Sequence, residues 1–373
     1  MAPVRGHHAA ESRKWEGNVV AGRSAIGLDI GTSGVRAAEL SFGKGEITLE
    51  KFGQVALPEG AVRDGEVVDP DTVAAAIKQL WAHTKFSSKK VVIGVANQKV
   101  IVRQVDLPWM PVSELKKSLG YQVQDFVPMP VEQAVLDFHP LEELDADNGN
   151  RVLRGLLVAA SRDMVNASVE AVQKAGLSAV MVDLTSFAVI RSLTDADHLG
   201  MGANVEALVD VGARVTNIVV HQGGVPRFVR ILLMGGQDVT DAVAERMGVP
   251  QEQAEAMKQQ LALGVAADSM DVQAAARVVE AVGAAFVDEV RGSLDYYLAS
   301  SGSAPISRLV LTGGGARLGG LAARLQTTTR VPVTVGTPMN SLQVGRTGLS
   351  PEQIAFVEPL AAVPVGLALG AAS

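Results

Sequence analysis

The chain has 373 residues, 47% hydrophobic and 20% charged, a length that suits two lobes rather than one small core. Its net charge of −7 argues against nucleic acid as the main partner, because phosphate backbones are bound by basic faces. The absence of cysteine excludes disulfides, thiolate catalysis and zinc–thiolate sites. We find neither a signal peptide nor the ~18 consecutive apolar residues that cross a bilayer, so we expect a cytoplasmic protein unless a partner holds it at a membrane.

The N-terminal quarter of the chain predicts a tail followed by the first part of a lobe. Residues 1–24 are polar and mixed in charge, which predicts a disordered tail. Residues 25–97 predict three antiparallel strands joined by glycine turns, then a helix and a buried strand. Asp69 is the expected N-cap of that helix, with Pro70 at its first position.

The next stretch breaks this rhythm and predicts an inserted module. Residues 98–181 contain a strand, a proline-bounded helix, an acidic loop at 141–148, and then a strand, a helix and a strand. This order predicts a small α+β module inserted between parts of the first lobe. A helix at 185–194, within residues 182–203, returns the chain to that lobe.

The C-terminal half predicts a second lobe and a return to the first. Residues 204–345 open with three strands that repeat the start of the chain, continue through a helical subdomain at 236–301, and end in strand, glycine turn and helix. Residues 346–373 predict helices that close the first lobe, and their apolar run LAAVPVGLALGAA predicts a buried terminal helix.

Two stretches of the sequence are near-copies, GLDIGTSGVRAAEL at 27–40 and ALVDVGARVTNIVV at 207–220. In each, an apolar strand ends in Asp, one apolar residue and then a glycine follow, and a second apolar strand begins. Asp29 aligns with Asp210, and Gly31 aligns with Gly212. One such hairpin is most often only a turn, but two matched copies and a third glycine turn after strand RLVLT predict two half-domains that hold a nucleoside triphosphate.

The chemistry of a magnesium polyphosphate explains the residue types. Glycine lets backbone N–H groups approach phosphates, and carboxylates hold the metal, usually through water. We expect the first loop to supply its amides and the hydroxyls of Thr32 and Ser33, with Asp29 and Asp210 flanking Mg²⁺. The backbone donors assigned to phosphates and base lie in three loops: Gly31, Thr32, Ser33 and Gly34; Gly212 and Ala213; and Gly313, Gly314 and Gly315. We also expect the helix after the last loop to point its positive N-terminus at the ligand.

These hairpins, the inserted module and the GGG turn resemble the actin/Hsp70/sugar-kinase superfamily, and within it the type IV pilus assembly PilM family, relatives of the cell-division protein FtsA. The stretches that resemble the PilM family in particular are LPWM with its following EL helix and the GG-x-x-x-T…AE-x-x-K run at 235–258. The resemblance covers residues 25–370. It implies an α/β, actin-like ATPase fold: two lobes, each with a ribonuclease-H-like mixed sheet, plus the small module.

The resemblance also implies residue roles. The first and second loops become phosphate loops, the GGG turn becomes the adenosine loop, and Glu255 and Lys258 contact ribose and adenine. From the sequence alone, Glu255 and Lys258 share a helix face and could equally be an exposed ion pair. Arg36 stands where relatives often have Lys and would face the phosphates, although Arg is bulkier and not equivalent.

The function implied is a cytoplasmic, ATP-binding adaptor with slow or no ATPase activity, peripheral to the inner face of the cytoplasmic membrane. A groove between module and first lobe would take the N-terminal cytoplasmic segment of a PilN-like membrane protein. Other pilus platform or motor proteins are expected partners. Val100, Val102 and Val105 are candidates for the peptide contact, though such a run also suits a plain core strand.

Two other functions suit the same fold. A small-molecule kinase needs a carboxylate base at an acceptor pocket, for which Asp183 or Asp137 could serve, although Asp183 also suits a turn or N-cap. A filament-forming, FtsA-like membrane tether needs a basic amphipathic C-terminal helix, which the last residues, LGAAS, do not supply.

Overall fold

The computed structural model describes residues 23–145, 150–194, 204–262, 270–300 and 303–371. The strands are β1 (Arg23–Ile30), β2 (Gly34–Phe42), β3 (Ile47–Ala56), β4 (Val62–Arg63), β5 (Glu66–Val67), β6 (Lys90–Val95), β7 (Ile101–Pro108), β8 (Ala134–Asp145), β9 (Arg151–Ser161), β10 (Ser178–Leu184), β11 (Val205–Val211), β12 (Thr216–Gln222), β13 (Val225–Leu232), β14 (Ile306–Thr312), β15 (Val333–Val335) and β16 (Gln343–Val344). The α-helices are α1 (Pro70–Thr84), α2 (Val112–Gln122), α3 (Arg162–Lys174), α4 (Thr185–Leu193), α5 (Gly236–Met247), α6 (Gln251–Ala262), α7 (Met270–Ala299), α8 (Leu321–Thr329), α9 (Pro351–Val357) and α10 (Ala362–Gly370).

Two mixed sheets share one plan. The first has the order β10-β6-β1-β2-β3-β16 and the second has the order β13-β12-β11-β14-β15. In both, three consecutive antiparallel strands come first, and strands from later in the chain then pair in parallel with the first of them. Asp29 pairs across its hairpin with Arg36, and Asp210 pairs across the equivalent hairpin with Asn217. The predicted α/β fold with a duplicated hairpin is confirmed.

Local sequence explains why these elements form. Asp69 caps α1 as predicted, since its carboxylate accepts hydrogen bonds from the backbone N–H groups of Asp71 and Thr72, both at 3.1 Å. The buried side chains of α1 recur at helical spacing and include Val73 and Ile77, which join the first-lobe core. In the second lobe β11 and β12 are buried along almost their whole length, which is the burial that a strand covered on both faces requires.

The inserted module is smaller than predicted. Its three-stranded antiparallel sheet has the order β7-β9-β8 and packs against α2 around its own apolar cluster. Helix α3 instead packs on α1, with Ala171 and Val172 in the first-lobe core, and β10 pairs in parallel with β6 of the six-stranded sheet. The module therefore ends at Ser161 rather than at residue 181, because these last two elements bury their apolar faces in the first lobe.

The predicted acidic loop at 141–148 is also wrong over its first part. Residues 141–145 continue β8 and pair with β9, and residues 146–149 lie outside the described residues. Arginines on β9 neutralise the acidic side chains: Arg154 lies 3.6 Å from Glu142, and Arg151 forms an ion pair with Glu143. Opposite charges across a strand pair stabilise a segment that its composition alone disfavours as a strand.

Both predicted boundaries of the first lobe shift slightly. Residues 1–22 of the predicted tail lie outside the described part, whereas Arg23 and Ser24 already pair with β2 in β1. At the other end the chain re-enters the first lobe before residue 346, since Met339 and Leu342 join its core and β16 pairs with β3.

Helix α10 is the predicted buried terminal helix, and it packs on β1, β2 and α4. A Cβ at Gly366 would lie 1.8 Å from the backbone oxygen of Ala188, so α10 touches α4 backbone to backbone. Within the described ranges no single helix is both long and apolar enough to span a membrane. Residues 351–360 and 362–370 meet the criteria only as a pair bent by 75°.

Candidate functional site

A cleft of about 1670 Å³ lies between the two lobes. Its volume exceeds the ~300–1,000 Å³ of most small-molecule pockets, which leaves room for a nucleotide with its metal. The structure brings all but one of the predicted nucleotide and metal residues to its wall: Asp29, Gly31, Thr32, Ser33, Arg36, Asp210, Gly212, Ala213, Glu255, Lys258, Gly313, Gly314 and Gly315. Gly34 is the exception, because it is buried beneath the first turn, where a Cβ would lie 2.7 Å from the oxygen of Val55.

The first loop is a tight turn with the positively charged side chain of Arg36 beside it. The backbone N–H of Gly31 donates to the oxygen of Gly34 at 3.0 Å, which closes the turn between β1 and β2. Arg36 bends back over this turn: its Nη2 donates to Ser33 Oγ at 3.3 Å, and its Nη1 lies 3.5 Å from Asp29 Oδ2. The Arg side chain therefore reaches the cleft.

The second loop is held by the start of α5. Its turn closes through the N–H of Gly212 and the oxygen of Val215 at 3.0 Å. The N–H groups of Gly236 and Gln237 then donate to the oxygens of Gly212 and Ala213, at 2.9 and 2.7 Å. A Cβ at Gly235 would lie 2.4 Å from the oxygen of Gly212, which explains the glycine immediately before α5.

Both acidic residues line the cleft, Asp210 buried and Asp29 half-buried. Asp210 is only 7% exposed, and the amide of Asn217 donates to its Oδ2 at 3.2 Å. Burial, with a smaller contribution from the nearby charge of Asp29, raises the pKa of Asp210 from 3.8 to about 6. Burial also raises the pKa of Asp29, although Arg36 opposes the shift. Arg36 compensates these two carboxylates only in part, since both keep a raised pKa, and this is a setting that a bound cation relieves.

The donor set fits Mg²⁺ held mainly through water and phosphate. Mg²⁺ keeps several waters and takes one or two carboxylates together with substrate phosphates. Across the described ranges no cluster of three or more His, Asp or Glu side chains is arranged to hold a metal by itself. Asp29 and Asp210 would hold such an ion, and it would neutralise phosphate charge when bound.

Glu255 and Lys258 form a network inside the cleft rather than an exposed pair. Lys258 is 14% exposed and lies 2.6 Å from Glu255. Its Nζ also donates to the oxygen of Gly236 at 2.9 Å and to Thr240 Oγ1 at 2.8 Å. Although burial opposes it, hydrogen bonds from Lys258 and Thr240 lower the pKa of Glu255, so the carboxylate stays ionised. Thr240 was missed from the sequence, although the GG-x-x-x-T run contains it.

The third loop requires glycine. Gly313 has a φ of +82°, and a Cβ there would lie 2.5 Å from the oxygen of Val211 and 2.6 Å from Asp210 Oδ1. Its N–H donates to Pro359 O at 2.9 Å, joining this second-lobe loop to the segment before α10. The predicted helix N-terminus is wrong in position, because the glycines lead into a 3-10 turn at Gly314–Arg317 and α8 begins only at Leu321.

Arg317 and Phe356 are further cleft residues that the sequence analysis did not predict. The guanidinium of Arg317, in the 3-10 turn, lies 4.0 Å from the ring centre of Phe356 on α9. Both side chains line the cleft. The only sequence signal for Arg317 was its position two residues after the GGG turn.

The predicted peptide residues are core rather than surface. Val100 is buried in the cluster that joins the module to the first lobe, and Val102 is half-buried against that cluster. Val105 is buried in the cluster that fills the module. These valines are therefore not available to a peptide in this structure. The nominated kinase bases are also remote, since neither Asp183 nor Asp137 lines the cleft. Asp183 forms an ion pair with Arg191.

Comparison with known proteins gives one consistent family. The family model described as type IV pilus assembly protein PilM matches residues 27–372. FtsA of Bacillus subtilis is 23% identical over 360 residues, covering 84% of this chain and 78% of that protein, and FtsA of Escherichia coli K12 is 26% identical over 372 residues, covering 84% of each.

Solved structures agree. A PilM-PilN type IV pilus biogenesis complex contains a chain with TM-score 0.82 and 28% identity, over 94% of this chain and 98% of that one. An MreB protein of Spiroplasma citri bound to AMPPNP has TM-score 0.53 at 11% identity, over 92% of this chain and 94% of that one, and shows the fold alone. The fold is that of the actin-like ATPases.

Proposed function

Because the chain belongs to the type IV pilus assembly protein PilM family, we propose that it is an ATP-binding adaptor that binds the cytoplasmic N-terminal segment of a PilN-like membrane protein. Through that segment it would be held at the inner face of the cytoplasmic membrane, where other pilus platform or motor proteins could dock. The observation that carries the nucleotide part is the convergence of two matched hairpins and a glycine turn on one cleft, which the carboxylates of Asp29 and Asp210 also line.

Titration calorimetry tests the nucleotide part directly. We expect the wild-type protein to bind ATP more tightly with Mg²⁺ than with EDTA, because the carboxylates of Asp29 and Asp210 line the cleft. Turnover should stay far below the enzyme median of ~10 s⁻¹, since neither nominated base lines the cleft. Absence of ATP binding, or fast acceptor-stimulated hydrolysis, would contradict the proposal.

Two open strand edges support a peptide site at the junction of module and first lobe. Strand β8 pairs only with β9, and β10 pairs only with β6, so each leaves one edge of its described sheet unpaired. The junction between them is tight, with the ring of His139 on β8 5.8 Å from that of Phe187 on α4. Met181 on β10 is 41% exposed, and an extended peptide that adds to this edge would cover it.

A charge substitution at this edge tests the peptide part. We expect Met181→Glu to weaken binding of a PilN-like N-terminal peptide by about tenfold, because it replaces an apolar contact with a charge. Val335→Glu is the matched control, since Val335 is 50% exposed on β15, an edge strand of the other sheet. Equal affinities of Met181→Glu and wild-type protein would place the peptide elsewhere.

The structure also offers a physical route by which ATP could favour peptide binding. Asn217, which donates to Asp210, accepts from Ser186 Oγ on α4 at 3.4 Å. Ser186 precedes Phe187, which packs at the module junction. We expect ATP to raise peptide affinity by about 5- to 150-fold, the range of typical coupling free energies. Equal peptide affinity with and without ATP would refute the coupling while leaving each binding site intact.

A further inference from the structure

Two arginines from opposite lobes meet at the cleft with unsatisfied donors. Arg36 lies on β2 of the first lobe, and Arg317 lies in the turn after β14 of the second lobe. Arg36 Nε and Arg317 Nη2 are both buried, and neither has a hydrogen-bond partner among the described residues. Buried donors are normally paired, so two in one cleft point to an acceptor that the protein itself does not provide.

The existing contacts leave these donors free. Arg317 uses the face of its guanidinium, which stacks on Phe356, while its N–H groups lie along the edge of the plane. Arg36 makes only long contacts, 3.3 Å to Ser33 and 3.5 Å to Asp29. Burial, with a smaller contribution from the positive charge of Arg36, lowers the pKa of Arg317, and both side chains line the same cleft.

We propose that Arg36 and Arg317 form a two-armed anion clamp, one arm from each lobe, that closes on the phosphate groups of the nucleotide. The inference rests on the proposed function, that the cleft binds ATP. A phosphate between the two guanidinium groups accepts hydrogen bonds from both of them. Its negative charge offsets their mutual repulsion, and this draws the lobes together. Phe356 covers one face of Arg317, and the buried Nη2 at the edge of the guanidinium, without a partner among the described residues, is the donor that addresses phosphate.

The test compares ATP with adenosine, which has the base and ribose but no phosphate. Affinities of Arg36→Gln, Arg317→Gln and the double variant are measured by calorimetry for Mg-ATP, and by displacement of ATP for adenosine. Arg324→Gln is the control, since Arg324 lies on α8 in an ion pair with Glu280. Each single variant should weaken ATP binding about tenfold or more and leave adenosine unchanged. The fold-loss of ATP affinity in the double variant should be smaller than the product of the two single losses by about fivefold or more, because both arginines act on one phosphate group.

Several outcomes overturn the clamp. Equal losses for ATP and adenosine in Arg317→Gln would assign Arg317 to the base, and strictly multiplicative losses would show two independent contacts. An unchanged ATP affinity in either single variant would remove that arm. Misfolding is checked on the nucleotide-free proteins, each of which should still unfold in one cooperative transition on heating. Failure of the wild-type protein to bind ATP would refute the proposed function itself, and the clamp with it.

Discussion

The buried carboxylate of Asp210 makes a prediction that joins stability to function. A raised folded-state pKa means that the charged form is disfavoured in the folded protein, so stability is greatest below the unfolded pKa and is lost as the pH rises through the folded one. A shift from 3.8 to about 6 is about 2 units, which at 1.36 kcal/mol each amounts to about 3 kcal/mol. This loss develops between about pH 4 and pH 6 and is complete above that window.

Asp210→Asn removes the charge and keeps an oxygen that can accept from Asn217. We therefore expect the variant to be more stable than wild type by up to about 3 kcal/mol at pH 8, and by almost nothing at pH 4. At the same time its affinity for Mg-ATP should fall, since one of two metal-side carboxylates is gone. Urea unfolding at a series of pH values gives the stability difference, and calorimetry gives the affinity.

Asp295→Asn is the control for this prediction, because the Asp295 side chain on α7 is 61% exposed and its removal should change stability little at any pH. The reasoning would be refuted if Asp210→Asn gained the same stability at pH 4 and pH 8, or lost stability at pH 8. Either result would show that burial of this charge does not destabilise the folded protein.

Two glycine substitutions test the backbone contacts in the same unfolding assay. Gly313→Ala should lower the free energy of unfolding by more than ~2 kcal/mol, because the new Cβ would lie 2.5 Å from an oxygen of β11. Gly45 has a similar φ of +87° but nothing within 4 Å, so Gly45→Ala should lower it only by the ~1–2 kcal/mol that a left-handed backbone costs. Equal costs would mean that space at the third loop does not matter. Gly366→Ala should lower the free energy of unfolding by about 3 kcal/mol or more, because the added methyl group pushes α10 away from α4. Gly292 lies on the exposed face of α7 with nothing within 4 Å, so Gly292→Ala should raise the free energy of unfolding by about 0.5–1 kcal/mol. A mild effect at Gly366 would show that α10 can shift without cost.

The features predicted best were those fixed by neighbouring residues. Each of these features depends on only a few neighbouring positions: the Asp69 cap, the glycine turns and the apolar strands on either side of them. All of them lie where the sequence predicted. The duplicated Asp-x-Gly pattern worked because it encodes the same local hairpin twice. Its two copies then meet in space because equivalent strands of two similar sheets face one cleft.

The errors concern partners that only the folded chain supplies. Residues 141–145 were predicted as a loop from their acidic composition, but arginines across the strand pair reverse that preference. Helix α3 could not be assigned to a lobe from its own pattern, since an apolar face does not reveal which core it joins. Arg317 was passed over for a similar reason: its donors stand out only because the surrounding residues bury them and leave them unpaired.

The position of α10 sets the order in which the molecule can be built. The first-lobe core contains Ile26 near one end of the described chain and Ala368 near the other, and a Cβ at Gly27 would lie 2.0 Å from the backbone oxygen of Pro364. During synthesis on the ribosome, β1 therefore cannot pack against α10 until more than three hundred further residues have been made. The sheet of the second lobe, from β11 to β15, comes instead from one continuous stretch of the chain. The half that is translated first is completed last, so its exposed β-sheet needs protection until synthesis passes α10.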